Sequence, residues 1–159
     1  MVWFGYVFAG QLKNSGDSNL FGWFNLCIHE SGHLLFRFCG QFLAVAGGTI
    51  TQLAAPFYGM WNFWRQKDFF SMALCLGWLS TNLFNVSNYM ADAQTMKLHL
   101  VSMGMGEPIH DWHYLFGRMG VLPYDGLIAA FVWVLAVAAM LACFAAGLWL
   151  IWQMIFTRN

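Results

Sequence analysis

Five consecutive residues, His29-Glu30-Ser31-Gly32-His33, combine types and spacing that can do chemistry. His29 and His33 are four positions apart, so on a helix they share a face one turn apart and can grip one metal ion. Glu30 rotates toward the open side of such an ion. There it can take a proton from water and later deliver it to a leaving amine. Zinc suits this task, since it polarises a carbonyl and acidifies water without redox chemistry. Asn25, one turn earlier, extends the polar stripe. The surrounding sequence is apolar, and a central charge in an apolar spanning helix costs roughly 2.5–3.5 kcal/mol on insertion scales. The plainer alternative is two histidines hydrogen-bonded to neighbouring backbone, with Glu30 neutral.

Zinc calls for a third protein ligand and an open fourth position. Asp92 is the first choice. Asn85, Asn88 and Asp92 fall on one helical face, which reads either as an inward polar stripe or as packing amides with a boundary carboxylate. Asp125, in Leu122-Pro123-Tyr124-Asp125-Gly126, is the second choice, and its simpler reading is a helix start. The third is the cluster His110-Asp111-Trp112-His113, which could lend a ligand, orient a ligating histidine, form a lid, or be an exposed interfacial turn. His99 is assigned no role. Cys27, Cys39, Cys75 and Cys143 show no CxxC spacing and read as small buried hydrophobes.

The elements that must position these residues follow from composition. The 159 residues are 60% apolar and 9% charged, with mean hydropathy +0.56, whereas soluble domains run nearer 45–50% and about 25%. Too few polar residues are present to cover a water-exposed surface. The expected fold class is an all-α integral membrane protein with about four transmembrane helices. These run from Leu20 to Phe38, between Phe42 and Trp64, from Asp68 to Met90, and from Leu127 to Phe156. Gly47, Gly48, Thr49, Thr51 and Gln52 make the second too polar for a plain lipid-facing helix, so an irregular segment is expected around 44–52. The layout is one membrane domain, 1–159. An interfacial segment covers 1–19, a core 20–92, a polar loop with an amphipathic stretch at 109–119 covers 93–125, and the last span 126–157.

Seven basic and seven acidic residues cancel, which leaves no footprint for nucleic acid. Lys13, Arg65, Lys67 and Arg158 fall on one side, and Arg37, Lys97 and Arg118 on the other. That excess of one places both termini in the cytoplasm. Spans one and three, two crossings apart, run parallel, which brings the His29/His33 turn and Asp92 toward one membrane face.

His29-Glu30-Ser31-Gly32-His33 within a span resembles the site-2 protease family of membrane-embedded zinc metallopeptidases. The resemblance covers about residues 20–92, and five residues carry it. It implies that His29 and His33 are zinc ligands and Glu30 the catalytic base. The family's third ligand is an aspartate, usually in an Asp-Gly motif two spans later. Asp92 matches by topology but precedes Ala93, whereas Asp125-Gly126 matches the local motif at the start of a span running the other way. The third ligand therefore stays open between them. The chain is also similar to short bacterial membrane proteins with HExGH and His-Asp-Trp segments, which implies a bacterial inner membrane.

The expected function is an intramembrane zinc metalloprotease with lipid and a transmembrane protein substrate as partners. The alternative is a non-catalytic small subunit of a larger membrane complex that retains the fold. Haem or chlorophyll ligation fits poorly, because two histidines one turn apart cannot bind opposite faces of one macrocycle. Ion transport leaves a glutamate between metal-spaced histidines unexplained.

Overall fold

The computed structural model describes residues 1–13, 20–98 and 110–156, and all of their regular structure is helical. The elements are α1 (Val2–Lys13), α2 (Leu20–Phe36), α3 (Gln41–Arg65), α4 (Phe69–Ala91), α5 (Asp111–Met119), a 3-10 turn (Leu122–Tyr124) and α6 (Asp125–Phe156). Helix α2 packs on α3, α3 on α4, and α4 on α6. Among the described residues, two helical stretches, Phe69–Ala91 and Leu122–Phe156, are long and apolar enough to cross a bilayer. His99 and the rest of 99–109 in the expected polar loop lie outside the described residues, as do 14–19 and 157–159.

Small residues set the α4–α6 contact. Ser80 Oγ donates to the Ala136 carbonyl (2.7 Å) and Ser87 Oγ to the Ala129 carbonyl (2.8 Å), bonds that require the two backbones to approach closely. Val86, Met90, Ala93, Phe116 and Ala129 form one buried cluster, which also holds α5 in place. Helix α1, expected as an interfacial segment, lays Phe4 against Met140 and Cys143 in a second cluster.

The irregular segment expected around 44–52 is not there: α3 is continuous helix from Gln41 to Arg65. Its glycines serve close packing instead. A Cβ on Gly32 of α2 would collide with the Gly47 carbonyl, and one on Gly47 would lie 2.8 Å from Phe36 Cβ. The two helices meet glycine to glycine, and the polar residues Thr49 and Gln52 are buried against the neighbouring helices rather than exposed on a broken chain. Pro56 sits inside the same helix.

Helix α5 is built by its caps. His110 is the N-cap, its Nδ1 accepting the His113 N–H at 3.2 Å. Gly120 closes the helix in the left-handed region at φ 71°, which only glycine adopts without cost. Asp111 is thereby fixed in the first turn, where the helix dipole favours a carboxylate.

Candidate metal centre

His29, His33 and Asp111 converge, with one ligand-capable atom from each lying within 4.8 Å of the others. Asp111 Oδ2 is 2.9 Å from His29 Nε2 and 3.3 Å from His33 Nε2. Helix α2 supplies the histidines at the four-residue spacing that puts them on one face. The carboxylate arrives from α5, 82 positions away.

The outer nitrogens of both rings are committed. His33 Nδ1 donates to the Ala44 carbonyl at 2.8 Å, which can only accept. His29 Nδ1 donates to Gln52 Oε1 at 3.0 Å. With the proton on Nδ1, each neutral imidazole turns the lone pair of Nε2 toward Asp111, itself a carboxylate. Three sets of lone pairs then face one another. Positive charge relieves that, as a second proton on each ring or as a metal ion. Ligating histidines whose other nitrogen is bonded to an acceptor are the usual outer support of a metal site. The donor set, two imidazoles and a carboxylate, is one that zinc takes in open, catalytic sites.

Gly48 leaves room for the group. A Cβ there would lie 2.5 Å from His29 Nε2 and 2.7 Å from His33 Cε1. Tyr89 of α4 completes the surroundings: its hydroxyl oxygen accepts the Asp111 N–H at 3.1 Å, and its ring stands 6.5 Å from His29 and 4.4 Å from His110, centre to centre. Glu30 is half-buried and acts electrostatically on both His33 and Tyr89.

Asp92, the first choice for third ligand, is engaged elsewhere. Its carboxylate accepts from the Thr95 hydroxyl and from the backbone N–H groups of Lys97 and Leu98, both at 2.9 Å. It also faces His110 Nε2 at 3.4 Å. Burial would raise this carboxyl, but those hydrogen bonds outweigh it and hold it below its ordinary value. Burial keeps His110 below the ordinary histidine value despite Asp92 beside it. Asp92 thus organises the chain after α4 and, among the described residues, reaches toward the centre through His110.

Asp125 accepts from the Gln94 side chain (2.7 Å) and backbone N–H, tying that same segment to the start of α6. Asn85 and Asn88 are half-buried on α4 and form no hydrogen bond with the histidine–aspartate group among the described residues. His113 donates from Nδ1 to the Ala93 carbonyl at 2.8 Å, which anchors α5. Asn25 Oδ1 accepts from the Trp78 indole at 2.8 Å. Gly48 and Gln52 were expected in an irregular polar stretch beside the site, not as a close approach and a histidine's acceptor within a continuous helix, and the Ala44 carbonyl and Tyr89 were not expected there. A buried polar residue one turn after Gly48 in an apolar helix was the available signal for Gln52.

Compared with models of known protein families, with curated proteins and with solved structures, the chain shows no significant match.

Proposed function

We propose that this chain is a membrane-embedded zinc metallopeptidase of the site-2 protease type, hydrolysing peptide bonds in or beside the bilayer. One observation carries the reading. Gln52 and the Ala44 carbonyl hold two histidines four residues apart so that both Nε2 atoms face the buried Asp111. His29, His33 and Asp111 would hold zinc, which supplies carbonyl polarisation and acidifies water. Glu30, next to His29 and electrostatically coupled to His33, is the base that takes the water's proton and passes it to the departing amine.

The membrane setting rests on apolar surface. Leu127, Phe131, Leu141 and Leu148 of α6 are all more than half exposed, as are Trp23 of α2 and Phe57 of α3. Such a surface is suited to lipid and not to water. In this reading α2, α3, α4 and α6 all cross, with α2 at the short end of the 17–25 residues that spanning takes.

The test is the protein purified in detergent, its zinc content measured beside cleavage of a transmembrane peptide. The expected result is about one zinc per chain, lost in His29→Ala/His33→Ala, and cleavage abolished by Glu30→Gln with zinc retained. A Glu30→Gln variant cutting at the wild-type rate would sink the mechanism. Absence of bound zinc after zinc is supplied, with the chain copurifying as a stoichiometric subunit, would favour the non-catalytic alternative, to which the exposed Trp149, Trp152 and Phe156 of α6 also lend themselves.

A further inference from the structure

Hydrolysis of an amide places negative charge on the carbonyl oxygen, and a peptidase needs a hydrogen-bond donor fixed where that charge develops. The obvious donors around the metal group are already engaged. Both Nδ1–H groups point away, to Gln52 and Ala44. The Asp111 N–H is given to Tyr89, and His113 Nδ1 to Ala93. His110 Nε2 forms no hydrogen bond among the described residues but lies 3.4 Å from the Asp92 carboxylate, whose charge holds it.

The Tyr89 hydroxyl differs. Its oxygen is fixed by accepting the N–H of a residue that belongs to the metal group. A phenol has one proton of its own to donate, and no acceptor for it occurs among the described residues. The ring packs against His110, 4.4 Å between centres, and stands 6.5 Å from His29. Glu30, Asp92 and Asp111 all lie close enough to act on it electrostatically. A donor with no acceptor among the described residues thus stands beside the backbone of Asp111.

We propose that Tyr89 is a catalytic residue, its O–H donating a hydrogen bond to the oxyanion of the scissile carbonyl. The assignment rests on the peptidase reading above. As water's oxygen bonds to the carbonyl carbon, the π pair moves to the carbonyl oxygen and the water's proton goes to Glu30. When the C–N bond breaks, the oxygen's pair reforms the C=O bond and Glu30 returns the proton to the amine. Tyr89 keeps its proton throughout and stabilises only the charged stage.

Tyr89→Phe removes the donor and keeps the ring. It is assayed zinc-loaded beside wild type, Glu30→Gln, Asn25→Ala and His113→Ala. Asn25 is included because its buried Nδ2 also has no partner, and His113 because it anchors α5 without touching the phenol. The readouts are zinc per chain, kcat and KM on an apolar transmembrane peptide, and the affinity of a phosphinic pseudopeptide whose anionic oxygens mimic the oxyanion. Tyr89→Phe is expected to keep its zinc and its KM while kcat falls about 100- to 1,000-fold, the usual effect of deleting one oxyanion donor. Phosphinate affinity should fall with it.

A Tyr89→Phe protein with unchanged kcat and phosphinate affinity overturns the assignment and leaves the peptidase reading intact, provided Glu30→Gln is dead. Loss of zinc in Tyr89→Phe, matched by His113→Ala, overturns it too, since the hydroxyl would then only hold α5. A kcat loss in Asn25→Ala but not in Tyr89→Phe transfers the role to Asn25. Zinc-loaded wild type that neither cleaves nor binds the phosphinate removes both readings together.

Discussion

The backbone of Gly48 passes directly beneath the imidazole of His29, so closely that a Cβ would lie 2.5 Å from Nε2, the nitrogen that faces Asp111. Neither ring can turn aside, because Gln52 and Ala44 hold the opposite nitrogens. Gly48→Ala would gain roughly 1 kcal/mol of helix propensity and lose about 1–3 kcal/mol to overpacking. The clash prevails, and it falls on the metal-facing nitrogen. Zinc per chain, read by elemental analysis, is expected to drop sharply while far-UV circular dichroism stays helical.

Gln52 should separate orientation from ligation. Gln52→Leu leaves the His29 Nδ1 proton without its acceptor, and zinc affinity is expected to fall about 10- to 100-fold. Gln52→Glu restores an acceptor and should recover most of the loss. Competition against a chelator of known affinity measures both.

Asp111 and Asp92 make opposite predictions. Asp111→Ala removes a ligand atom and should leave the protein unable to hold zinc at equimolar metal. Asp92→Asn should keep zinc, yet weaken the fold by about 1–3 kcal/mol, because the acceptor of Thr95, Lys97 and Leu98 loses its charge. Zinc content and thermal unfolding, measured together, tell the two apart.

The pH dependence follows from the same carboxylate. Asp92 is held below its ordinary value in the fold, so its stabilisation is fully present above the unfolded value of about 3.9. It is lost as pH falls through the lower folded value. Melting temperature should therefore drop more steeply for wild type than for Asp92→Asn as the buffer is taken from pH 5 down through about 3.9. Parallel curves would remove Asp92 from this role.

Much of the arrangement was legible in the chain. Helical spacing brought His29 and His33 to one face, and the apolar runs foretold α2, α3, α4 and α6 to within a few residues. The third member of the group was harder. Asp92 carries the right charge at the right end of a helix, but its partners Thr95, Lys97 and Leu98 come from a local turn that no periodicity announces. Asp111 stood in a noticed cluster, ranked last, because its approach to α2 depends on how α5 docks. Gly47 and Gly48 misled for a physical reason: glycine marks both a broken helix and a close helix–helix approach, and only the partner surface, here Gly32, separates the two.

His29, His33 and Asp111 come from distant stretches of the chain. Any ion held by all three would act as a cross-link closing a loop of 82 positions between α2 and α5. On a chain-entropy view such a closure constrains the unfolded polypeptide by about 4.5 kcal/mol, comparable to a long-range disulfide. Stripping the ion would slacken the α2–α5 junction first and spare the serine-tied pair α4 and α6. Hydrogen exchange at Asp111–Met119 would then register the occupancy of the centre from the outside.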